Sequence, residues 1–148
     1  MDGNEAKQPF VLIVLAKDAD AKVMQHTIDT LSRLQVVTET VRLDDAGLDL
    51  LAYIQSGICR GLKVVVFGTH YAYTDEQCPT VTEALVPVIK TITGPPPAAN
   101  AQIALNVATT GFGVAGAVNA GIEAARILAR VDPALATRLR ILWPPSQD

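Results

Sequence analysis

The chain has 148 residues and a formal net charge of −3 at pH 7, and 49% of its residues are hydrophobic. This size and hydrophobic content predict one globular unit with a proper core, and the scattered Lys and Arg residues form no basic stripe for nucleic acid. No apolar run reaches the roughly 18 residues of a membrane helix, and the polar start MDGNEAKQPF is unlike a signal peptide, so we expect a soluble cytoplasmic protein.

The first predicted elements are a buried strand and an amphipathic helix. Residues 10–15, FVLIVL, form a continuous apolar run typical of a strand covered on both faces of a parallel sheet. The following helix has Asp18 or Asp20 available as its N-cap. Its apolar positions recur at the spacing of one helical face. They are Met24, Ile28, Leu31 and Leu34.

The middle of the chain repeats this alternation. Residues 36–43 are rich in Val and Thr and predict a strand near the edge of the sheet. Residues 48–59 predict a helix that ends at Arg60-Gly61, and residues 63–68 predict a second buried strand. The apolar face of this helix is expected to comprise Leu50, Leu51, Ile54 and Ile58.

The last third adds two strands and three helices, interrupted by a proline loop. GPPPAAN, residues 94–100, is incompatible with a helix or a central strand because its three prolines lack amide donors. The other elements are a short helix after the capping box at Thr80-x-x-Glu83, strands at 86–92 and 103–109, a helix at 114–130, and a final helix beginning at Asp132-Pro133.

Strands that alternate with helices predict an α/β fold, a three-layer αβα sandwich around a parallel, flavodoxin-like sheet. We expect residues 1–9 to be a disordered N-terminal segment, residues 10–143 to be one domain and residues 144–148 to be a tail. Ligands of such sheets bind beyond the carboxyl ends of the strands. The loops that follow the strands are therefore the candidate site.

One of these loops carries three of the five His and Tyr rings of the chain. His70 is a candidate for proton transfer, and the alternative is a hydrogen-bonded histidine at a loop tip. Tyr71 and Tyr73 could stack on a ligand ring, or they could cover the edge of the core or a subunit interface. The other histidine, His26, is expected to be a surface residue.

Two acidic residues follow the second predicted strand. Asp44 and Asp45 could act as an acid/base pair or hold a metal, although acids before a helix are more often caps. Cys59 and Cys78 show no metal-ligand spacing, and we interpret them as reduced, buried thiols. The sequence predicts neither a metal site nor a cofactor.

A glycine motif lies at the start of the long helix. Residues 111–116 match G-x-G-x-x-G, but a Rossmann unit needs a further strand after that helix, and only one more helix follows. We interpret Gly111 and Gly113 as allowing a close approach to a ligand or a subunit. Ala117, Gly121 and Ala125 predict a tight helix contact.

Residues 11–140 resemble the aminoimidazole ribonucleotide carboxylase family, also called PurE-like, whose mutases move a carboxyl group on a 5-aminoimidazole ribonucleotide. The most specific stretch is GVAGAVNAGIEAARILARVDPALATRL, residues 113–139. The family's first strand and the loop after it are similar to VLIVLAKDADAKVMQ. The family's strand before its glycine-rich loop is similar to RGLKVVVFG. LNVATTGFG also resembles a related carboxylase domain that acts on a nicotinate nucleotide.

The resemblance implies a fold and a homo-octamer, but the family's functional loops differ here. Of its first loop only Asp20 is retained, while its glycine and two serines align with Ala16, Lys17 and Ala19. Its Ser-Ala-His-Arg loop aligns with residues 42–45, and its catalytic histidine aligns with Thr74. These differences imply a pocket that has been rebuilt or closed.

We therefore predict a diverged family member that binds a small heteroaromatic or acidic metabolite, with carboxylation, decarboxylation or isomerisation as the chemistry. The alternatives are a non-catalytic oligomeric scaffold and the orthodox mutase. The expected catalytic residues are His70, Asp20 and Asp44. The expected ligand-binding residues are Lys17, Arg42, Asp45, Tyr71, Tyr73, Thr74, Gly111 and Gly113.

Overall fold

The computed structural model describes residues 8–45, 47–70, 84–94 and 108–144. Within them, five strands form one parallel sheet. The strands are β1 at Phe10–Leu15, β2 at Val37–Arg42, β3 at Leu62–Thr69, β4 at Val88–Ile92 and β5 at Ala108–Phe112. The α-helices are α1 at Ala21–Arg33, α2 at Leu50–Arg60, α3 at Gly113–Ala129 and α4 at Pro133–Leu142.

The strand order across the sheet is β2-β1-β3-β4-β5. This order is that of the flavodoxin-like doubly wound fold, in which the order of the strands reverses between β1 and β3. The prediction of an α/β sandwich with a parallel, flavodoxin-like sheet is therefore confirmed. Residues 36–43 were expected near the edge of the sheet, and β2 is indeed an edge strand.

The sheet is apolar on both faces because helices cover both. Val11, Ile13 and Leu15 of β1 face the layer formed by α1, α3 and α4. Phe10, Leu12 and Val14 face the opposite layer, where α2 packs. Since side chains alternate along a strand, burial on both sides requires the unbroken apolar run FVLIVL.

Helices α1 and α3 pack closely through small side chains. The hydroxyl of Thr27 donates to the backbone carbonyl of Ala117 at 2.7 Å, in a buried position. A Cβ atom added at Gly121 would lie 3.0 Å from the Cβ of Thr30, so only a residue without a side chain fits easily there. The tight helix contact predicted from Ala117, Gly121 and Ala125 is confirmed.

Helix α2 has a narrower buried face than its sequence suggests. Leu51 and Ile58 are 39% and 36% exposed, whereas Ile54 and Gly57 are buried. The prediction that Leu51 and Ile58 belong to the apolar face was wrong, because Gly57 brings the helix down onto Leu62 of β3. The N-cap of α2 is Asp49, whose carboxylate accepts the amide hydrogen of Ala52, so neither Asp44 nor Asp45 caps this helix.

The end of β5 also differs from the prediction. The strand continues to Phe112, which pairs with Ile92 of β4 after a register shift, so Gly111 and Phe112 lie in the strand rather than in a loop. The start of α4 matches its prediction, because Asp132 accepts the amide hydrogen of Leu135 and Pro133 occupies the first turn. The capping box at Thr80-x-x-Glu83 and residues 95–100 of the proline loop lie outside the described residues.

Cys59 is exposed at the end of α2, which corrects the prediction of a buried thiol. Its place near the carboxyl end of the helix, outside the narrow packing face, accounts for the exposure. Cys78 lies outside the described residues. Among the helices of the described ranges, none is long and apolar enough to cross a membrane.

Candidate functional site

The carboxyl ends of the five strands meet at one edge of the sheet, where the candidate residues follow the strands. The loop after β1 contributes residues 16–20, and β3 is followed by His70. Beyond β4 come Thr93 and Gly94, which lie at the same edge. The reversal of strand order between β1 and β3 makes this edge the expected ligand site of a doubly wound sheet.

Asp20 is a buried carboxylate at this edge, with 2% of its surface exposed. Its Oδ2 accepts the backbone amide hydrogen of Lys17 at 2.9 Å, and its Oδ1 accepts the hydroxyl hydrogen of Thr93 at 2.6 Å. The residue stands at the N-cap position of α1, but its side chain makes no cap hydrogen bond to that helix. The carboxylate instead links the loop after β1 to the end of β4.

Thr93 is held by the sheet itself. Its amide donates to the backbone carbonyl of Thr69 at 2.8 Å, which continues the pairing of β3 and β4 past the last strand residue. Asp20 therefore reaches past the end of β3 to its partner after β4. The sequence did not reveal Thr93 as a site residue, because its contact joins positions 73 residues apart.

His70 lies directly after β3 and is exposed. Its carbonyl and ring pack against Gly94, so that a Cβ atom added at Gly94 would lie 2.5 Å from the His70 oxygen and 3.0 Å from Cε1. Gly94 thus provides the space that the histidine occupies. The sequence placed Gly94 in the proline loop, and only the pairing of β3 with β4 reveals its role.

A second group of residues lies at the ends of β1 and β2. Arg42 Nη1 is 3.0 Å from Asp18 Oδ1, and Arg42 Nη2 is 3.1 Å from Asp45 Oδ1. The hydrogen bond to Asp18, followed by the charge of Asp45, raises the pKa of the Arg42 guanidinium above its usual value. The guanidinium is thus already bound to two carboxylates, while Lys17 and Asp44 are exposed.

The two predicted glycines flank the start of α3. Gly111 has a φ of 115° within β5, and Gly113 has a φ of 62° as the first residue of α3, and both values lie in the region that glycine adopts readily. A close contact inside the chain is made by a third glycine of the motif, Gly116. A Cβ atom there would lie 2.5 Å from the carbonyl carbon of Gly111. Tyr71, Tyr73 and Thr74 lie outside the described residues.

Two polar side chains of β4, Lys90 and Thr91, are buried. Lys90 is 1% exposed and pairs in register with Phe67 of β3 and Thr109 of β5. The hydroxyl of Thr91 is buried and has no hydrogen-bond partner among the residues that the structure describes. The sequence around Lys90 and Thr91 does not alternate between polar and apolar residues, so it does not indicate that these two side chains are buried.

A cavity of about 370 Å³ opens at the opposite edge of the sheet, near the amino ends of the strands. None of the predicted site residues that the structure describes lines it. Its lining combines apolar residues of α3 and α4 with polar residues that precede or begin the strands. It is formed by Gln8, Pro9, Gln35, Val36, Lys63, Pro87, Ile127, Leu128, Val131, Asp132, Leu135 and Arg138.

The carboxyl edge therefore brings together three groups. They are the hydrogen-bonded carboxylate of Asp20, the ring of His70 packed against Gly94, and the guanidinium of Arg42, which is paired with two carboxylates. Each oxygen of Asp20 keeps a lone pair beyond its bond to Lys17 or Thr93. Because only 2% of the residue is exposed, a ligand reaches these lone pairs only when the surrounding groups move aside. A histidine can donate and accept protons near neutral pH. Groups of these kinds can bind a polar small molecule and exchange a proton with it.

No protein-family model matches the chain. It is 33% identical, over an alignment of 152 positions, to N5-carboxyaminoimidazole ribonucleotide mutase of Bacillus subtilis (strain 168), with 89% of this chain and 88% of that protein covered. The mutase of the same name from Brucella melitensis biotype 1 is 29% identical over 147 residues, covering 87% and 86%.

Solved structures show the same fold. A single-residue variant of Treponema denticola PurE2 gives a TM-score of 0.63 at 14% identity, with 91% of this chain and 89% of that chain covered. Treponema denticola PurE also gives 0.63 at 14% identity, covering 90% and 89%. The predicted resemblance is thereby confirmed, and the chain belongs to the N5-carboxyaminoimidazole ribonucleotide mutase family.

Proposed function

We propose that this protein binds a small heteroaromatic amine at the carboxyl edge of the sheet and catalyses transfer of a carboxyl group on it. The class of reaction is that of a carboxylase, decarboxylase or mutase. N5-carboxyaminoimidazole ribonucleotide, the compound in the names of its relatives, is the first substrate to test. The observation that carries the proposal is the buried, doubly hydrogen-bonded carboxylate of Asp20.

The chemistry assigns complementary roles to Asp20 and His70. When a carboxyl group moves from an exocyclic nitrogen to a ring carbon, the N–C bond breaks and the nitrogen gains a proton. A C–C bond then forms and the ring carbon loses a proton. One side chain that first donates and then accepts a proton can serve both steps, and His70 is our candidate. Asp20 would hold the ligand by accepting hydrogen bonds from its N–H or O–H groups.

The proposed binding residues include Lys17, Arg42, Asp44 and Asp45 beside the crevice. Because Arg42 already contacts Asp18 and Asp45, a phosphate group would have to share the guanidinium with these two carboxylates or displace one of them. Asp44 adds another carboxylate nearby in the chain. This balance of charge supports a ligand that is held mainly by hydrogen bonds to Asp20 rather than by a phosphate group bound to Arg42, and we propose this mode of binding.

The same charge balance supports a second candidate, a non-catalytic binding or scaffold protein. Under both candidate functions we propose that the protein is a homo-oligomer, and the family resemblance implies an octamer. Native mass spectrometry of the purified protein would measure the number of subunits and the mass of any bound small molecule. An assembly without a ligand that also fails to bind aminoimidazole ribonucleotide would favour the scaffold.

Turnover of labelled substrate tests the first candidate. We would incubate the protein with N5-carboxyaminoimidazole ribonucleotide that carries ¹³C in its carboxyl group and follow the position of the label by NMR. The expected result is movement of the label to a carbon-bound position. His70→Ala should lower the rate by about 10²- to 10⁴-fold, the usual contribution of acid–base catalysis, without changing thermal unfolding.

His26→Ala is the matched control, since His26 is the other histidine of the chain and is exposed on α1. It should keep the wild-type rate. A wild-type protein that leaves the label on nitrogen would contradict the mutase proposal. Retained turnover in His70→Ala would contradict the role of His70 but leave the activity itself established.

A further inference from the structure

We propose that Thr93 is a positioning residue, which fixes the carboxylate of Asp20 in the orientation needed to receive a ligand. The role depends on the proposed function of the same crevice. Thr93 was not among the residues expected from the sequence, and it donates to Asp20 Oδ1 at 2.6 Å. This length is typical of a strong, charge-assisted O–H···O⁻ hydrogen bond.

The backbone of Thr93 is held in place by a hydrogen bond to the neighbouring strand β3. Its amide is bonded to Thr69 at 2.8 Å, and the residue is only 9% exposed. Threonine is branched at Cβ and therefore has few accessible side-chain rotamers. The hydroxyl is consequently presented to Asp20 from a rigid part of the sheet rather than from a flexible loop.

The carboxylate of Asp20 is bonded from two directions. Lys17 donates its amide hydrogen to Oδ2 from the loop after β1, and Thr93 donates to Oδ1 from the end of β4. One donor alone would allow the carboxylate plane to rotate, whereas two donors on different oxygens define that plane. Each oxygen keeps a lone pair, so the fixed group favours ligands that present hydrogen-bond donors.

The chain provides a closely matched control on the same strand face. Thr91 lies two positions before Thr93, is fully buried, and has a hydroxyl without a partner among the described residues. Thr91→Val and Thr93→Val each remove one buried hydroxyl while keeping the branched shape. Thr93→Ser keeps the hydroxyl and removes only a methyl group.

Two measurements test the role. The first is the rate of the ¹³C carboxyl transfer, with kcat and KM determined separately. We expect Thr93→Val to lower kcat/KM at least about tenfold, because a carboxylate that can rotate loses its own hydrogen bond to the ligand, and one hydrogen bond to a charged group corresponds to about that loss. Thr93→Ser and Thr91→Val should stay close to the wild type, and thermal unfolding of all three variants should show that they fold.

The second measurement does not require activity. The Lys17 amide hydrogen is bonded to Asp20, so its hydrogen–deuterium exchange reports whether the carboxylate is held in place. Exchange at Lys17 should accelerate in Thr93→Val and remain slow in Thr93→Ser and Thr91→Val. A structural tie without a ligand role would accelerate exchange and leave kcat/KM unchanged.

The outcomes separate this proposal from the proposed function. Wild-type kcat/KM in Thr93→Val, in a protein that turns over substrate, overturns the positioning role. Slow Lys17 exchange in Thr93→Val overturns the fixing of Asp20 whether or not the wild type is active. An inactive wild type overturns the proposed function, and the ligand role of Thr93 with it.

Discussion

Replacing Gly116 by alanine should destabilise the protein, although alanine is normally the better helix former. Gly116 lies in the first turns of α3, where its Cα faces the backbone of β5. The added Cβ would lie 2.5 Å from the carbonyl carbon and 2.8 Å from the oxygen of Gly111. Ordinary van der Waals contact begins at 3.4 Å, so helix and strand must separate by roughly 1 Å.

The magnitude follows from two opposing effects. Alanine in place of glycine in a helix interior is worth about 1 kcal/mol, and neither Gly116 nor the glycine chosen as control has a positive φ. Overpacking a tight contact costs about 1–3 kcal/mol. Because the clash is with backbone, which cannot rotate away, we expect the cost at Gly116 to exceed the gain.

Gly57→Ala is the control, since Gly57 is also buried inside a helix. Its added Cβ would meet the Leu62 side chain, with Cδ2 at 3.0 Å, and this flexible group can move. Urea unfolding followed by circular dichroism, at one protein concentration, should show Gly116→Ala less stable than Gly57→Ala by about 1–3 kcal/mol. Equal stability of the two variants would refute this explanation of the glycine motif.

Three further predictions concern charge and the candidate site. The pKa of Glu39 lies below its ordinary value of 4.5, chiefly because Arg60 donates a hydrogen bond to the carboxylate. The Glu39–Arg60 pair therefore stabilises the fold fully above pH 4.5, and this stabilisation is lost as the pH falls through the lower pKa of the folded state. In urea titrations, Glu39→Gln should therefore cost up to about 1 kcal/mol at pH 7 and nothing in strong acid, and a pH-independent difference would contradict this account. Gly94→Ala should displace His70 and lower the rate of carboxyl transfer while changing the midpoint of urea unfolding only slightly. An unchanged rate would contradict the role of Gly94 in making room for His70. Arg42→Ala should leave the midpoint of urea unfolding nearly unchanged because its ion pairs are exposed, and a clear fall in that midpoint would show that they form a cooperative network.

The fold could be predicted because its strands leave a strong sequence signal. A strand covered on both faces must be apolar throughout, as FVLIVL is, and residues 63–68 carry the same signal. The end of β5 could not be predicted in this way, because Gly111 reads as a loop residue in isolation. The strand extends to Phe112 because β5 pairs with Ile92 of β4, and this pairing is a tertiary contact that the local sequence does not indicate.

The candidate site was predictable only in part. Asp20 was identified through the family resemblance and its place after the first strand, and the structure shows it buried with two donors. Thr93 and Gly94 were not identified, because their contacts with Asp20 and His70 arise from tertiary structure rather than from a local pattern. Arg42 was considered as a ligand contact, and its pairing with Asp18 and Asp45 depends on the distance between two loops.

The central claim is that Asp20 forms part of a ligand site at the carboxyl edge of the sheet. The most direct test is a calorimetric titration of the wild type and Asp20→Ala with aminoimidazole ribonucleotide, after thermal unfolding has shown that the variant folds. We predict saturable binding to the wild type and a loss of at least about tenfold in affinity for the variant. No binding to the wild type, or equal affinity in Asp20→Ala, would contradict the claim.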